Sequence, residues 1–212
     1  MISFSTRGTP RGRKTRKRIH LMARVRTFLA IDLGEDIRDR LVSLQEQLTK
    51  VAPEVKWVEP ENLHITLLFL GEVEQRETQD ICRAAQKAVA NLPAFAMSIK
   101  GAGAFPNMRR PRTLWVGVGV GSPEVGALHD AIEAPLLDMG SYRRETRAYV
   151  PHVTLGRVTG ERSDDDELAK LLATHKTWSA GETTVREVQV MRSELASAGP
   201  TYAVLGRAKL SV

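Results

Sequence analysis

One four-residue string occurs twice in this chain and fixes the geometry of both segments that hold it. His64-Ile65-Thr66-Leu67 lies in LHITLLFL (63–70), and His152-Val153-Thr154-Leu155 lies in AYVPHVTLGRV (148–158). Both segments alternate polar and apolar residues, the pattern of a half-buried strand. In a strand, residues i and i+2 share a face. His64 and Thr66 therefore point one way, and Leu63, Ile65, Leu67 and Phe69 the other. His152 and Thr154 likewise oppose Val153 and Leu155. Each strand buries an aliphatic face and presents an imidazole beside a hydroxyl. Any fold that sets the two strands side by side brings two such pairs into one cleft. A third His-x-Thr, His175-Lys176-Thr177, runs into Trp178 at a predicted helix end and reads as coincidence.

The rest of the chain interleaves helices with strands. RTFLAIDL (26–33), FAMSIKGAGAF (95–105), RTLWVGVGV (112–120), TTVREVQVMRSEL (183–195) and TYAVLGRAKLSV (201–212) read as strands, and VKWVEP (55–60) as a short extended piece. Helices are expected from Glu35 to Val51, Gln75 to Leu92, Pro123 to Met139 and Asp164 to His175. In the first, Ile37, Leu41, Leu44 and Leu48 recur at spacings of three and four. In the last, Asp164, Asp165 and Asp166 complement the helix dipole. Hairpin-like strand pairs are frequent, which argues for an α+β fold with antiparallel sheet. No Gly-x-Gly-x-x-Gly follows the first strand and no P-loop is present. GAG (101–103) and GVGVG (117–121) read as turns and strand glycines.

Composition narrows the class. No stretch approaches the length of apolar sequence that a membrane-spanning helix needs. Cys82 is the one cysteine, so an intrachain disulfide and a cysteine zinc site are excluded, and a reducing, cytoplasmic setting is expected. The formal charge of +6 belongs to one end. Residues 1–22 hold Arg7, Arg11, Arg13, Lys14, Arg16, Lys17 and Arg18 and no acid, and the remainder is nearly neutral. Residues 1–22 are thus expected to be a disordered basic tail or a misassigned start, since Met22 directly precedes ARVRTFLAIDL. Residues 23–212 are expected to form a single bilobal domain.

Two imidazoles and two hydroxyls suit phosphodiester chemistry. One neutral histidine takes a proton from the attacking nucleophile, and the other, as imidazolium, gives one to the leaving oxygen. The threonine hydroxyls donate to non-bridging phosphate oxygens. No metal is required, and no carboxylate cluster stands beside either motif. Arg157 follows His152 by an odd number of residues, so strict alternation puts it on the wrong face; Gly156 relaxing the backbone, or the strand ending, would free it to reach a phosphate. Phe69 occupies the matching place after His64, so the halves are not chemically equal. A zinc site would need a third ligand, and nothing brings His129 or His175 near. Trp57 and Trp115 are packing residues or base-stacking ones, and Arg109, Arg110 and Arg112 form either a solvated basic loop or a track for an RNA backbone.

These residues resemble the two-histidine (2H) phosphoesterase superfamily, marked by a pair of H-x-T/S-x motifs. RTFLAIDL, VKWVEPENLHITLLFLGEV, RPRTLWVGV and YVPHVTLGRV are similar, more narrowly, to the RNA 2′,3′-cyclic phosphodiesterase family, also called 2′-5′ RNA ligases. The resemblance covers about residues 26–212. It implies two pseudo-symmetric lobes, each with an antiparallel sheet and outer helices, around a central cleft. It implies hydrolysis of a terminal RNA 2′,3′-cyclic phosphate to a 2′-phosphomonoester, with no cofactor. His64 corresponds to the proton donor to the leaving 3′ oxygen, His152 to the acceptor that activates water, and Thr66, Thr154 and Arg157 to phosphate-contacting positions. The implied partners are RNA ends carrying the cyclic phosphate, tRNA fragments among them, with a monomeric protein and no membrane or protein partner. Two other readings stay open: a related activity on a small cyclic nucleotide or ADP-ribose cyclic phosphate, and a weakly active RNA-end binding module.

Overall fold

A computed structural model describes residues 23–140, 142–160, 167–196 and 199–211. The basic tail, Asp164 to Asp166 and the tip of the SAGP turn lie outside the described residues. The elements run β1 (Arg24–Asp32), α1 (Glu35–Thr49), β2 (Val55–Trp57), a 3-10 turn (Pro60–Asn62), β3 (His64–Glu74) and α2 (Thr78–Val89). They continue with β4 (Phe95–Phe105), β5 (Thr113–Val118), α3 (Ser122–Asp138), β6 (His152–Val158), α4 (Glu167–Thr174), β7 (Ser179–Val185), β8 (Glu187–Ala196) and β9 (Gly199–Lys209).

Among the described residues, nine strands form one curled antiparallel sheet, ordered β7-β4-β5-β6-β3-β1-β8-β9, with β2 paired to β6. The two motif strands are its centre. They meet at Ile65 opposite Val153, both fully buried. On one side β1, β8 and β9 extend the sheet from β3; on the other β5, β4 and β7 extend it from β6. The expected α+β architecture is present, and its two lobes are halves of a continuous sheet.

The helices cover the aliphatic face, and two of them cross between halves. The helix that follows β1, α1, packs on β7 of the far half, and the helix that follows β5, α3, packs on β3. Each then buries its apolar stripe: Ile37, Leu41, Leu44 and Leu48 from α1, and Val125, Leu128, Ile132 and Leu136 from α3. Truncating one such leucine to alanine would cost about 2–5 kcal/mol. The exchange of helices ties the halves together, so the cleft between them has a fixed floor.

The sequence reading fails at one connection. TTVREVQVMRSEL was expected to be one strand, but it is two, broken at Arg186. Val185, Val188 and Val190 are buried, so the burial phase slips at that point. The first piece pairs with β4 in one half and the second with β1 in the other. No glycine or proline marks the break; its trace in the sequence is the three-residue step from Val185 to Val188.

Candidate active site

The register of the central strands builds the site. With Ile65 opposite Val153 in an antiparallel pair, one step in either direction sets His64 across from Thr154 and Thr66 across from His152. The four side chains therefore form a crossed square on the face away from the helices. The two imidazoles are close enough that the charge of His152 disfavours protonation of His64.

Both rings are held in the same way. His64 Nδ1 lies 2.6 Å from the carbonyl oxygen of Asn62, and His152 Nδ1 lies 2.7 Å from that of Val150. A carbonyl only accepts, so in each ring Nδ1 carries the proton and donates it, leaving Nε2 as the lone-pair nitrogen. His64 Nε2 lies 2.9 Å from Thr66 Oγ1. Both histidines sit below their ordinary 6.5, chiefly because burial disfavours the imidazolium. The smaller influences differ. Asp32, opposite His64 on β1 and ion-paired with Arg38, favours the charged form of His64, while His152 and Arg38 disfavour it; Arg157 disfavours that of His152.

Aromatic walls flank each imidazole. Phe28 and Tyr202 lie 5.1 and 5.5 Å from His64, ring centre to ring centre. Phe105 and Trp115 lie 5.0 and 6.3 Å from His152. Gly103 permits the second wall, since a Cβ there would come within 2.5 Å of the Trp115 ring. Trp115 thus belongs to the cleft wall, while Trp57 packs against the core. Arg109, Arg110 and Arg112 are exposed on the loop that leaves Phe105.

A β-bulge corrects the face assignments. Opposite β5, Leu114 pairs with Gly156 and Trp115 with Thr154, so Leu155 is an extra residue. The phase of alternation shifts there by one. Arg157 consequently lies on the same face as His152 and Thr154, and its Nη1 is 3.5 Å from Thr113 Oγ1. Opposite β1, Leu29 pairs with Leu68 and Ala30 with Thr66, so Leu67 is the extra residue of the other motif. Phe69, expected on the buried face, is therefore 48% exposed and packs 5.7 Å from Phe28 beside His64. The last residue of the repeated string is the bulge in both copies, which strand periodicity cannot show.

Other supporting residues escaped the sequence reading. Asn62 donates from Nδ2 to the Pro200 carbonyl at 2.9 Å, linking the His64 turn to the strand that carries Tyr202. Tyr149 donates to the Thr66 carbonyl at 3.0 Å and stacks on His129 at 4.2 Å. The position of Asn62, two residues before a motif histidine, was the one usable signal. Tyr149 and Tyr202 carry none, because their contacts are remote in sequence. Among the described residues, no three His, Cys, Asp or Glu side chains are grouped to hold a metal ion.

The chain is similar to known proteins in sequence and in fold. A family model described as the 2′-5′ RNA ligase superfamily matches residues 33–196. The RNA 2′,3′-cyclic phosphodiesterase of Methanothermobacter thermautotrophicus is 41% identical over 84% of this chain and 95% of its own length. That of Aeropyrum pernix is 36% identical over 80% of this chain and 94% of its own. A Thermus thermophilus crystal structure superposes with a TM-score of 0.74 at 27% identity, covering 87% of this chain and 97% of that one. Escherichia coli LigT complexed with 3′-AMP gives 0.73 at 25% identity, covering 90% of this chain and 100% of that one. The paired histidine strands thus stand in a chain that belongs to the 2′-5′ RNA ligase superfamily.

Proposed function

We propose that this protein hydrolyses terminal RNA 2′,3′-cyclic phosphates to 2′-phosphomonoesters by acid–base catalysis between His64 and His152, with no metal. The carrying observation is the crossed square of two histidines with matched tautomers and two threonines, in a chain whose relatives bear the name RNA 2′,3′-cyclic phosphodiesterase.

The chemistry follows from where the protons sit. The cyclic phosphodiester anion lies between the imidazoles. Nε2 of neutral His152 takes a proton from water as its oxygen attacks phosphorus. The bond from phosphorus to O3′ breaks in line, and O3′ takes the Nε2 proton of the His64 imidazolium. Burial lowers both imidazoles, and two neighbouring charges bear on the division of roles. Asp32 favours the charged form of His64, and Arg157 favours the neutral form of His152. Thr66, Thr154 and Arg157 donate to the non-bridging oxygens, where charge accumulates in the transition state. The aromatic walls exclude water from the flanks. Residues 23–212 act as one domain, and residues 1–22 take no part in the chemistry.

The test is to incubate the protein in EDTA with a short RNA ending in a 2′,3′-cyclic phosphate and to identify the product by phosphorus NMR. A 2′-phosphate formed without metal supports the reaction and its direction of opening. No turnover, with His152→Ala as matched control, moves the assignment to a smaller cyclic substrate or a binding module.

A further inference from the structure

The mechanism asks Arg157 to hold a phosphate, yet little of its own side chain is held. Arg157 is exposed, and its one described hydrogen bond is the long contact to Thr113. Phe69, its counterpart in the other motif, is fixed by packing on Phe28. Arg157 has to be aimed by its backbone instead, and what aims the backbone is the Leu155 bulge.

A bulge leaves polar groups outside the ladder. Leu155 is fully buried, so its carbonyl needs partners other than water. It accepts from the Val58 N–H at 2.9 Å and from Gln45 Nε2 at 2.8 Å. The same Gln45 amide donates to the Val58 carbonyl at 2.9 Å. Gln45 lies on the otherwise aliphatic buried stripe of α1, and only 6% of it is exposed. A polar side chain there is costly unless every donor is used. Both donors of its amide go to the bulge and to the segment clamped against it. Beyond the bulge, Gly156 lets β2 close on β6, since a Cβ there would lie 2.5 Å from Val55.

We infer that Gln45 is a positioning residue: its amide locks the Leu155 bulge and thereby keeps Arg157 on the histidine face. This rests on the reading of Arg157 as a phosphate ligand. Gln45 itself touches no reacting atom.

The experiment is a double-mutant cycle on the intact chain, using the short cyclic-phosphate RNA. Gln45→Leu keeps the stripe apolar and removes both donors. It is expected to lower kcat by about ten- to a hundredfold, the scale of a misplaced catalytic contact. In an Arg157→Ala background the same change is expected to alter kcat by less than about twofold, because the interaction is already gone. Should Gln45→Leu fail to fold, Gln45→Met makes the same comparison with an unbranched chain. A full loss repeated in the Arg157→Ala background overturns the inference and makes Gln45 a packing residue. An Arg157→Ala variant as active as wild type overturns it too. A wild-type protein that leaves the cyclic phosphate intact fails the functional reading first, which is a different result from additivity in an active enzyme.

Discussion

The His64 half and the His152 half are the same device with different surroundings. Each has a ring pinned by the carbonyl two residues earlier, a threonine two residues later and a bulge at the following leucine. After the bulge they part. One half places Phe69 against Phe28, and the other places Arg157. One imidazole faces an acid paired with Arg38, and the other faces the Arg157 guanidinium. A duplicated strand supplies symmetric chemistry, which serves a two-proton reaction only if something tells the histidines apart. In the proposed reaction that task falls to one residue after the bulge and to one on the neighbouring strand.

The largest expected effect tests what the halves share. His64→Ala and His152→Ala should each lower kcat/KM by about 10²–10⁴ with the fold retained by circular dichroism. Full turnover in either removes that histidine from the chemistry. The next effect tests where they differ. Arg157→Ala should cost about 10²–10³ in kcat, while Phe69→Ala should cost far less. Equal losses would erase the asymmetry.

The pH dependence sharpens it further. Burial holds both imidazoles below 6.5, and kcat/KM reports the free enzyme. Its profile should be a bell with its maximum on the acid side of 6.5, the two apparent values belonging to the coupled pair. The bound phosphodiester anion favours imidazolium, so the kcat profile should lie at higher pH. A kcat/KM maximum well above 6.5 contradicts the buried-pair picture.

A smaller effect is on stability. Below 6.5 the unfolded imidazoles take up protons that the folded ones resist, so stability should fall as pH drops through that value toward the lower folded ones. His64→Ala should flatten the slope of Tm against pH over this window. An unchanged slope would mean that His64 is not the source. The smallest effect concerns residues 1–22: their deletion should leave kcat/KM on a short substrate unchanged. A large loss would place the tail in the enzyme.

Much of the fold was legible because burial writes a period into the chain. The stripe of α1 and the inward Ile65 and Val153 were plain from spacing. The break at Arg186 was missed, because a strand that changes partner needs no breaker residue when the sheet curls, and the single slip from Val185 to Val188 is a faint mark. In the site, the His and Thr pairs were legible from the repeat. Arg157 was singled out with Gly156 or the strand end as its route to the histidine face; strict alternation alone misplaced it, and the bulge at Leu155 is what turns it.

By itself, the sequence marked the side chains to which the proposed chemistry falls and showed that they come in two matched sets, because i and i+2 share a face in any strand. Tertiary structure decided everything that depends on contacts between distant segments. It chose the register that crosses the pairs, the bulges that turn Arg157 and Phe69 toward the cleft, and the remote supports from Gln45, Tyr149 and Tyr202. The physical reason is that a bulge is set by the partner strand and by what satisfies its freed carbonyl, and neither is local to the motif.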